Sequence, residues 1–242
     1  MKRKVPLYVI YALLIAILFT QGACSNRYYT SSVFDQQTAK HKVVAILPAE
    51  IIFTGTAPKK LTPEDIIKLE DAESRAFQQS LYNNILRYAN SRKYETWVNV
   101  QDVTTTLNAL KNKNISARDS WIKNDEELKA MLGVDAVVRM RVQKKRYMSD
   151  LASYGITLGK DILYEVGMSP NRIPGTGIPT PGVSNKTNDI IATCSVVSNG
   201  MSLWNDNYRA ASNWNNPANE IIEGITENFG KNFPYKRRRP KD

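Results

Sequence analysis

The chain has 242 residues and 27.3 kDa, 42% of them hydrophobic and 23% charged, with 12 Gly and 11 Pro. That composition excludes a disordered, collagen-like or multi-span membrane chain and fits one domain, with room for an insertion. The formal charge is +10, but part of the excess sits in the first four residues and part in the last seven, so charge alone names no partner; one His and two Cys exclude a Cys/His structural zinc site and a multi-bridge disulfide framework.

Lys2, Arg3 and Lys4 precede an apolar run of 15 residues, Val5 to Phe19, which ends in Thr20-Gln21-Gly22-Ala23-Cys24. This is the layout of a secretory signal, shorter than the roughly 20 apolar residues a spanning helix needs. Gly22-Ala23-Cys24 resembles the lipobox of bacterial lipoproteins, with Gln21 where an aliphatic residue usually stands. The resemblance implies removal of residues 1–23, lipid attachment at Cys24 and, because Ser25 rather than Asp follows, sorting to the periplasmic face of the outer membrane. Several acyl chains together give stable anchoring at about 0.8 kcal/mol per buried methylene. The mature charge would be +7, since the leader carries three positive charges and no negative ones.

Residues 24–42 are polar and without apolar periodicity, which predicts a tether. Val43 to Leu47 reads as a buried strand ended by Pro48. Thr62-Pro63-Glu64-Asp65 then caps a long helix to about Asn90, with Leu69, Ala72, Ala76, Phe77, Leu81, Ile85, Tyr88 and Ala89 as its stripe. A strand at Thr96 to Val100 follows, then helices from Asp102 to about Leu110 and from Asp125 to Leu132, the second closed by Gly133. Val134 to Val142 is the next strand, and Leu151, Tyr154, Leu158, Ile162 and Val166 keep helical spacing. A Pro/Gly-rich insertion occupies 168–188. Asp189 to Trp204 forms a hairpin turning at Asn199-Gly200, and Asn216-Pro217 opens a last helix carrying Ile221, Ile222, Ile225 and Phe229. The expected architecture is one α/β domain over 43–233, with a mostly parallel sheet flanked by helices, an antiparallel C-terminal hairpin and a basic tail over 234–242.

This order, together with Glu127-Leu128 to Gly133-Val134-Asp135-Ala136-Val137-Val138 and the closing Gly200-x-x-Leu203-Trp204, resembles a module of bacterial envelope proteins. It is similar to lipoproteins of the curli-secretion channel type, penicillin-binding-protein activator lipoproteins and the amino-terminal domain of the Tol system's propeller protein. In these the segment corresponding to Leu132-Gly133 and Asp135-Ala136-Val137 links a helix to a sheet strand. The resemblance implies a fold and a compartment and carries over no catalytic residue.

No enzyme, cofactor or metal is expected from the rest. Gly155 to Lys160 has three residues between its glycines and Asp161 after the lysine, so it fails the phosphate-loop pattern. His41, the sole imidazole, lies between Lys40 and Lys42 and reads as a surface residue. Acid clusters at Glu64-Asp65, Glu70-Asp71-Glu73 and Asp125-Glu126-Glu127 are the material for a glycan hydrolase, but two of them fall in first helical turns. Cys194 reads as a small buried hydrophobe. Trp204, Tyr208 and Trp214 read as packing aromatics rather than a sugar platform.

Lys236 to Lys241 looks like a nucleic-acid signal, which a secreted protein does not use, so no nucleic-acid partner is expected. The expected partner surface is the 168–188 insertion with the tail, through Arg172, Lys186, Arg237, Arg238 and Arg239, against an envelope protein or cell-wall polymer. The expected function is a non-enzymatic lipoprotein that binds or regulates that partner. The alternative is a subunit of a secretion pore, which requires alternating membrane strands of about 9 to 11 residues. Lys160 and the prolines of the insertion interrupt the segments that would supply them.

Overall fold

The computed structural model describes residues 28–55, 62–146, 186–213 and 218–240. Cys24, Arg172, the helical spacing of 151–166 and most of the Pro/Gly-rich insertion lie outside these. The elements in chain order are β1 (Tyr28–Thr30), α1 (Phe34–Thr38), β2 (Val43–Ile46), β3 (Glu50–Gly55), α2 (Pro63–Ala89), β4 (Tyr94–Thr96) and β5 (Asn99–Val100). There follow α3 (Val103–Asn112), α4 (Ala117–Ile122), α5 (Asp125–Leu132), β6 (Ala136–Arg146), β7 (Lys186–Ser198), β8 (Met201–Asn213), α6 (Ala218–Asn232) and β9 (Lys236–Arg238).

The main sheet runs β1-β8-β7-β6-β2-β5, with β3 also along β6, and it is mixed rather than mostly parallel. Helix-linked strands do pair in parallel: β2 with β5 and β6, and β3 with β6. The longest ladders, β6·β7 and β7·β8, are antiparallel, as is β1·β8. The strand-helix alternation that predicts parallel pairing ends at β6, and β7 and β8 are joined by the two-residue turn Asn199-Gly200, both at positive φ (54° and 67°). β3 and α4 are additional to the elements expected from periodicity. The strand expected at Thr96 to Val100 is divided between two short strands in different sheets.

Helix α2 begins where the caps require. Thr62 Oγ1 accepts from Asp65 N at 3.1 Å and the Asp65 carboxylate accepts from Thr62 N at 3.1 Å. Its face of Leu69, Ala72, Phe77, Leu81 and Ile85 packs with Ile225 and Phe229 of α6 on Met140, Val142, Ile190, Ala192 and Val196 of the sheet. Each such large side chain contributes about 1.5–3 kcal/mol by burial. The two helices approach closely at Gly230, where an added Cβ would lie 2.8 Å from the Asn84 carbonyl carbon and oxygen. Among the described residues the other face of the sheet is covered at one end, by Leu110, Leu128 and Leu132 over Ala45, Leu47, Val137 and Val197.

Both chain ends of the body are more structured than their composition implies. Residues 28–42, expected to lie in the tether, supply an edge strand and a short helix whose Phe34 is 4% exposed. Within the expected basic tail, Lys236–Arg238 form a strand. Tyr235 is fully buried, with its ring 5.4 to 5.6 Å from those of Phe34, Trp97 and Phe233, and β9 pairs with β4 just beyond it.

Asp135 explains the Gly-x-Asp-Ala motif in physical terms. Gly133, at φ 67°, ends α5 in the left-handed conformation and turns the chain into β6. Asp135 Oδ2 then accepts from Lys42 N (2.7 Å) and Val43 N (2.9 Å), while Asp135 N donates to Val43 O (2.8 Å). One carboxylate thus fixes the register between the start of β2 and β6. Its partial burial favours the neutral form, but the two backbone donors, with His41 and Lys129 nearby, outweigh that and hold the acid below its ordinary range. A depressed folded pKa means the contribution is present above the unfolded carboxylate range and is lost as pH falls through the folded value. Asp135→Ala should therefore lower the unfolding free energy by about 2 kcal/mol near neutral pH. In urea titrations at a series of pH values the gap between wild type and variant should close below about pH 4.

Candidate functional site

The open half of the second sheet face is set out by strand alternation. In β6, Met140, Val142 and Lys144 point into the core, which leaves Arg139, Arg141, Gln143 and Lys145 on the other side. β7 adds Ile191, Thr193 and Ser195, and β8 adds Asn205, Asn207 and Arg209, in register across the sheet. Thr193 Oγ1 donates to Asn207 Oδ1 at 2.9 Å, and Asn207 Nδ2 donates to Asn205 Oδ1 at 3.0 Å. Arg141 is ion-paired with Glu50 across the β3·β6 step.

A cavity of about 270 Å³ opens where this face meets α4, lined by Leu47, Pro48, Glu50, Trp121, Arg139, Met140, Arg141, Thr193 and Ser195. Pro48 creates it. Without an N–H, proline cannot continue the ladder, so the strand breaks between β2 and β3 and its carbonyls turn to side chains. Gln78 Nε2 donates to Ile46 O (2.7 Å), Ser74 Oγ to Ala49 O (2.6 Å) and Trp121 Nε1 to Pro48 O (3.2 Å). The last of these holds the indole as a wall of the cavity, with the Arg118 guanidinium 5.6 Å from its ring centre.

Arg139 fixes the other wall. Its Nε is paired with Asp125, its Nη1 donates to Ser120 O and Trp121 O at 3.1 Å each, and its Nη2 to Lys123 O at 2.6 Å. A single guanidinium thus satisfies carbonyls at the end of α4 and joins them to the first turn of α5. Immediately beside it Ile122 is 87% exposed, an unusual setting for a large aliphatic side chain. Aromatic wall, hydroxyl floor and adjacent apolar knob suit recognition of a polypeptide segment.

The residues singled out from sequence are placed elsewhere. Cys24 and Arg172 lie outside the described residues, and Lys186 enters through its backbone, opposite Asn213 in the β7·β8 ladder. Arg237 and Arg238 lie in β9 and Arg239 just after it; Arg237 is paired with Glu95 at 2.8 Å. The acid clusters are engaged: Glu73 with Lys144 inside the core, Glu70 and Asp71 with Arg118, Asp125 with Arg139. Burial pushes the Glu70 carboxyl up, against the pull of Arg118. His41 is not a bare surface residue: its Nδ1 is 2.7 Å from the Tyr235 hydroxyl, and burial lowers its pKa. Cys194 is buried with its thiol pushed upward by desolvation, and Trp204 is fully buried, so neither meets a ligand. Trp121, Arg139 and Arg141 were not found by motif; the legible signal was the alternation of Arg139, Arg141 and Gln143 with Met140 and Val142.

No known protein-family profile and no curated protein matches the chain. Among solved structures it is similar to the lipoprotein GNA1162 from Neisseria meningitidis, at 12% identity and a TM-score of 0.40, covering 77% of this chain and 94% of that one. It is also similar to the LpoB C-terminal domain from Salmonella enterica, at 8% identity, a TM-score of 0.35 and coverage of 83% and 94%. A third similarity is to the PelC dodecamer from Paraburkholderia phytofirmans, at 10% identity, a TM-score of 0.32 and coverage of 79% and 87%.

Removing the Arg139 clamp should loosen this site selectively. Arg139→Ala leaves three helix-end carbonyls and the Asp125 carboxylate without their donor, a loss of about 2–4 kcal/mol. Hydrogen exchange should accelerate across residues 117–125, while the β7·β8 ladder keeps its protection.

Proposed function

We propose that this chain is a non-enzymatic envelope lipoprotein, anchored through Cys24 at the periplasmic face of the outer membrane, that binds an envelope protein on the open half of its sheet. One observation carries the binding reading: among the described residues the sheet is covered on one face by α2 and α6, while half of its other face has no helix over it and carries a cavity with Trp121 as its wall. A sheet face that serves stability alone is normally covered or uniformly polar; this one combines cross-strand polar pairs with the exposed Ile191, and Ile122 stands exposed at the end of α4. The leader ending in Gly22-Ala23-Cys24 supports the location. Engagement of the clustered carboxylates with Arg118, Lys144 and Arg139 supports binding over glycan hydrolysis. The pore alternative rests on residues 147–185, which lie outside those described.

Two measurements test the proposal separately. Cells fed a clickable palmitate analogue should label wild type and not Cys24→Ser; equal labelling removes the anchor. A photo-crosslinker at Thr193 or Ile191 should capture the same envelope protein in intact cells, and one at Glu64, at the start of α2, should not. Ile122→Asp, at a site with little packing to lose, should reduce that capture by about tenfold. Equal capture from all three positions, or capture of cell-wall glycan alone, would reject a protein partner at the groove. Extraction of a many-subunit ring that conducts ions would favour the pore.

A further inference from the structure

The basic chain end is sorted by β9 into two unlike faces, and this sorting points to a ligand. In the β4·β9 ribbon Glu95 stands opposite Arg237, while Tyr94 stands opposite Arg238 and Thr96 opposite Lys236. Alternation places Glu95 and Arg237 on one face, where they neutralise each other as an ion pair. On the other face Tyr94 is surrounded by cations. Lys93 Nζ and Lys236 Nζ lie 5.3 and 5.2 Å from its ring centre, and the pull of Lys93 first, then Arg238, lowers the phenol's pKa. Arg239 closes the ribbon by donating from Nε to Ser91 O (3.1 Å) and Tyr94 O (3.3 Å), contacts with carbonyls that leave its charge unneutralised. Among the described residues Arg92, Lys93, Lys236, Arg238 and Arg239 have no acidic partner in an ion pair.

The place of this cationic face in the fold selects among anions. Tyr28 is four residues beyond Cys24, a span of at most about 14 Å. Tyr28 and Tyr29 are 41% and 59% exposed, as aromatic side chains at a membrane interface are. Three residues separate β1 from α1, which begins with Phe34, whose ring lies 5.4 Å from that of Tyr235, the residue before Lys236. Lys40 and Lys42, both exposed, flank His41, which reaches the Tyr235 hydroxyl. Against these cations β4, β9 and α1 bring Glu95, already paired, and Asp35.

We propose that Lys93, Lys236, Arg238 and Arg239 around Tyr94 form a docking face for anionic phospholipid headgroups, which lays the body against the membrane beside its anchor. The proposal rests on the lipoprotein reading for its geometry, though not for its chemistry. Each basic side chain at an anionic surface adds about fivefold to association, and the effect fades with salt over about a Debye length. Arg237 takes no part, because its charge is cancelled by Glu95.

The test uses the full-length protein extracted from membranes and reconstituted into vesicles of phosphatidylcholine, with or without phosphatidylglycerol. Hydrogen exchange over 94–96 and 236–238 should slow by at least about fivefold with phosphatidylglycerol, and molar salt should cancel the slowing. Lys93→Glu with Arg238→Glu should abolish the response, while the charge exchange Glu95→Arg with Arg237→Glu, of equal net charge, should retain it. Thermal unfolding of each variant confirms that the fold is kept. Identical exchange on both vesicles, or equal loss in the charge-exchanged variant, overturns the proposal. Protection by soluble polyglutamate with no response to phosphatidylglycerol overturns it in favour of an acidic protein. Failure to float with neutral vesicles would instead reject the anchor; sedimentation of added protein with phosphatidylglycerol vesicles alone would then still read the docking face by itself.

Discussion

A proline with no N–H, placed in the strand that runs beside β6, is the constraint on which much of this molecule depends. Pro48 cannot extend the ladder, so β2 and β3 become separate segments pairing with the two halves of β6. The carbonyls around the break need donors, and they receive them from Gln78 and Ser74 on α2 and Trp121 on α4. Those bonds dictate where both helices sit. They also explain why the buried stripe of α2 includes polar residues, since Ser74 and Gln78 occupy core positions to complete the sheet's hydrogen bonding. The groove beside Trp121 is the space left by that interruption.

Charged groups in the core sharpen the arrangement. Lys144 and Glu73 are almost fully buried and pair across the β6–α2 layer, with the ammonium 5.6 Å from the ring centres of both Phe53 and Phe77. A buried pair of this kind adds little net stability over an apolar pair of similar volume, but removing one partner is costly. It therefore selects one registration of helix on sheet. Asp206 acts similarly for α6, its Oδ2 accepting from Asn228 Nδ2 (3.2 Å) and Asn232 Nδ2 (2.9 Å). Asn84, Ser80, Thr226 and Glu223 join α2 to α6 through hydrogen bonds of 2.7 to 3.1 Å. The layer under the open face is thus a fixed platform, which suits a binding surface better than a deformable one.

The two functional surfaces proposed here use different physics. The groove offers shape and a few apolar anchors, so its specificity comes from what fits beside Trp121 and Ile122. The β4·β9 ribbon offers charge density with little relief, which suits headgroups that carry charge and no fixed shape. Tyr235 links the ribbon to the body: buried among Phe34, Trp97 and Phe233, it converts a basic chain end into an oriented strand. That docking distinguishes Arg237 from Arg238, neighbours in sequence that face opposite ways.

Local signals determined a good part of the fold. The capping box at Thr62 and Asp65, the left-handed Gly133, the Asn199-Gly200 turn and the apolar stripe of α2 depend on residues within one or two turns of each other, so composition and spacing reveal them. The role of Asp135 was foreshadowed by its motif, though the backbone N–H groups that give it meaning are those of Lys42 and Val43, about ninety residues earlier. Pairing direction, the docking of residues 28–42 and the ordering of the basic chain end were not legible. β7 and β9 find their partners through ladders and ring contacts that no local period encodes, and Glu95 meets Arg237 across 142 residues of chain. The groove belongs to the same class. The sequence alone determined α2, α3, α5, α6, the turns and the expectation of a leader over residues 1–23, because those signals are carried by contiguous residues. Only the tertiary structure decided which charges are neutralised and which half of the sheet the described residues leave uncovered, because both follow from distant segments meeting in space.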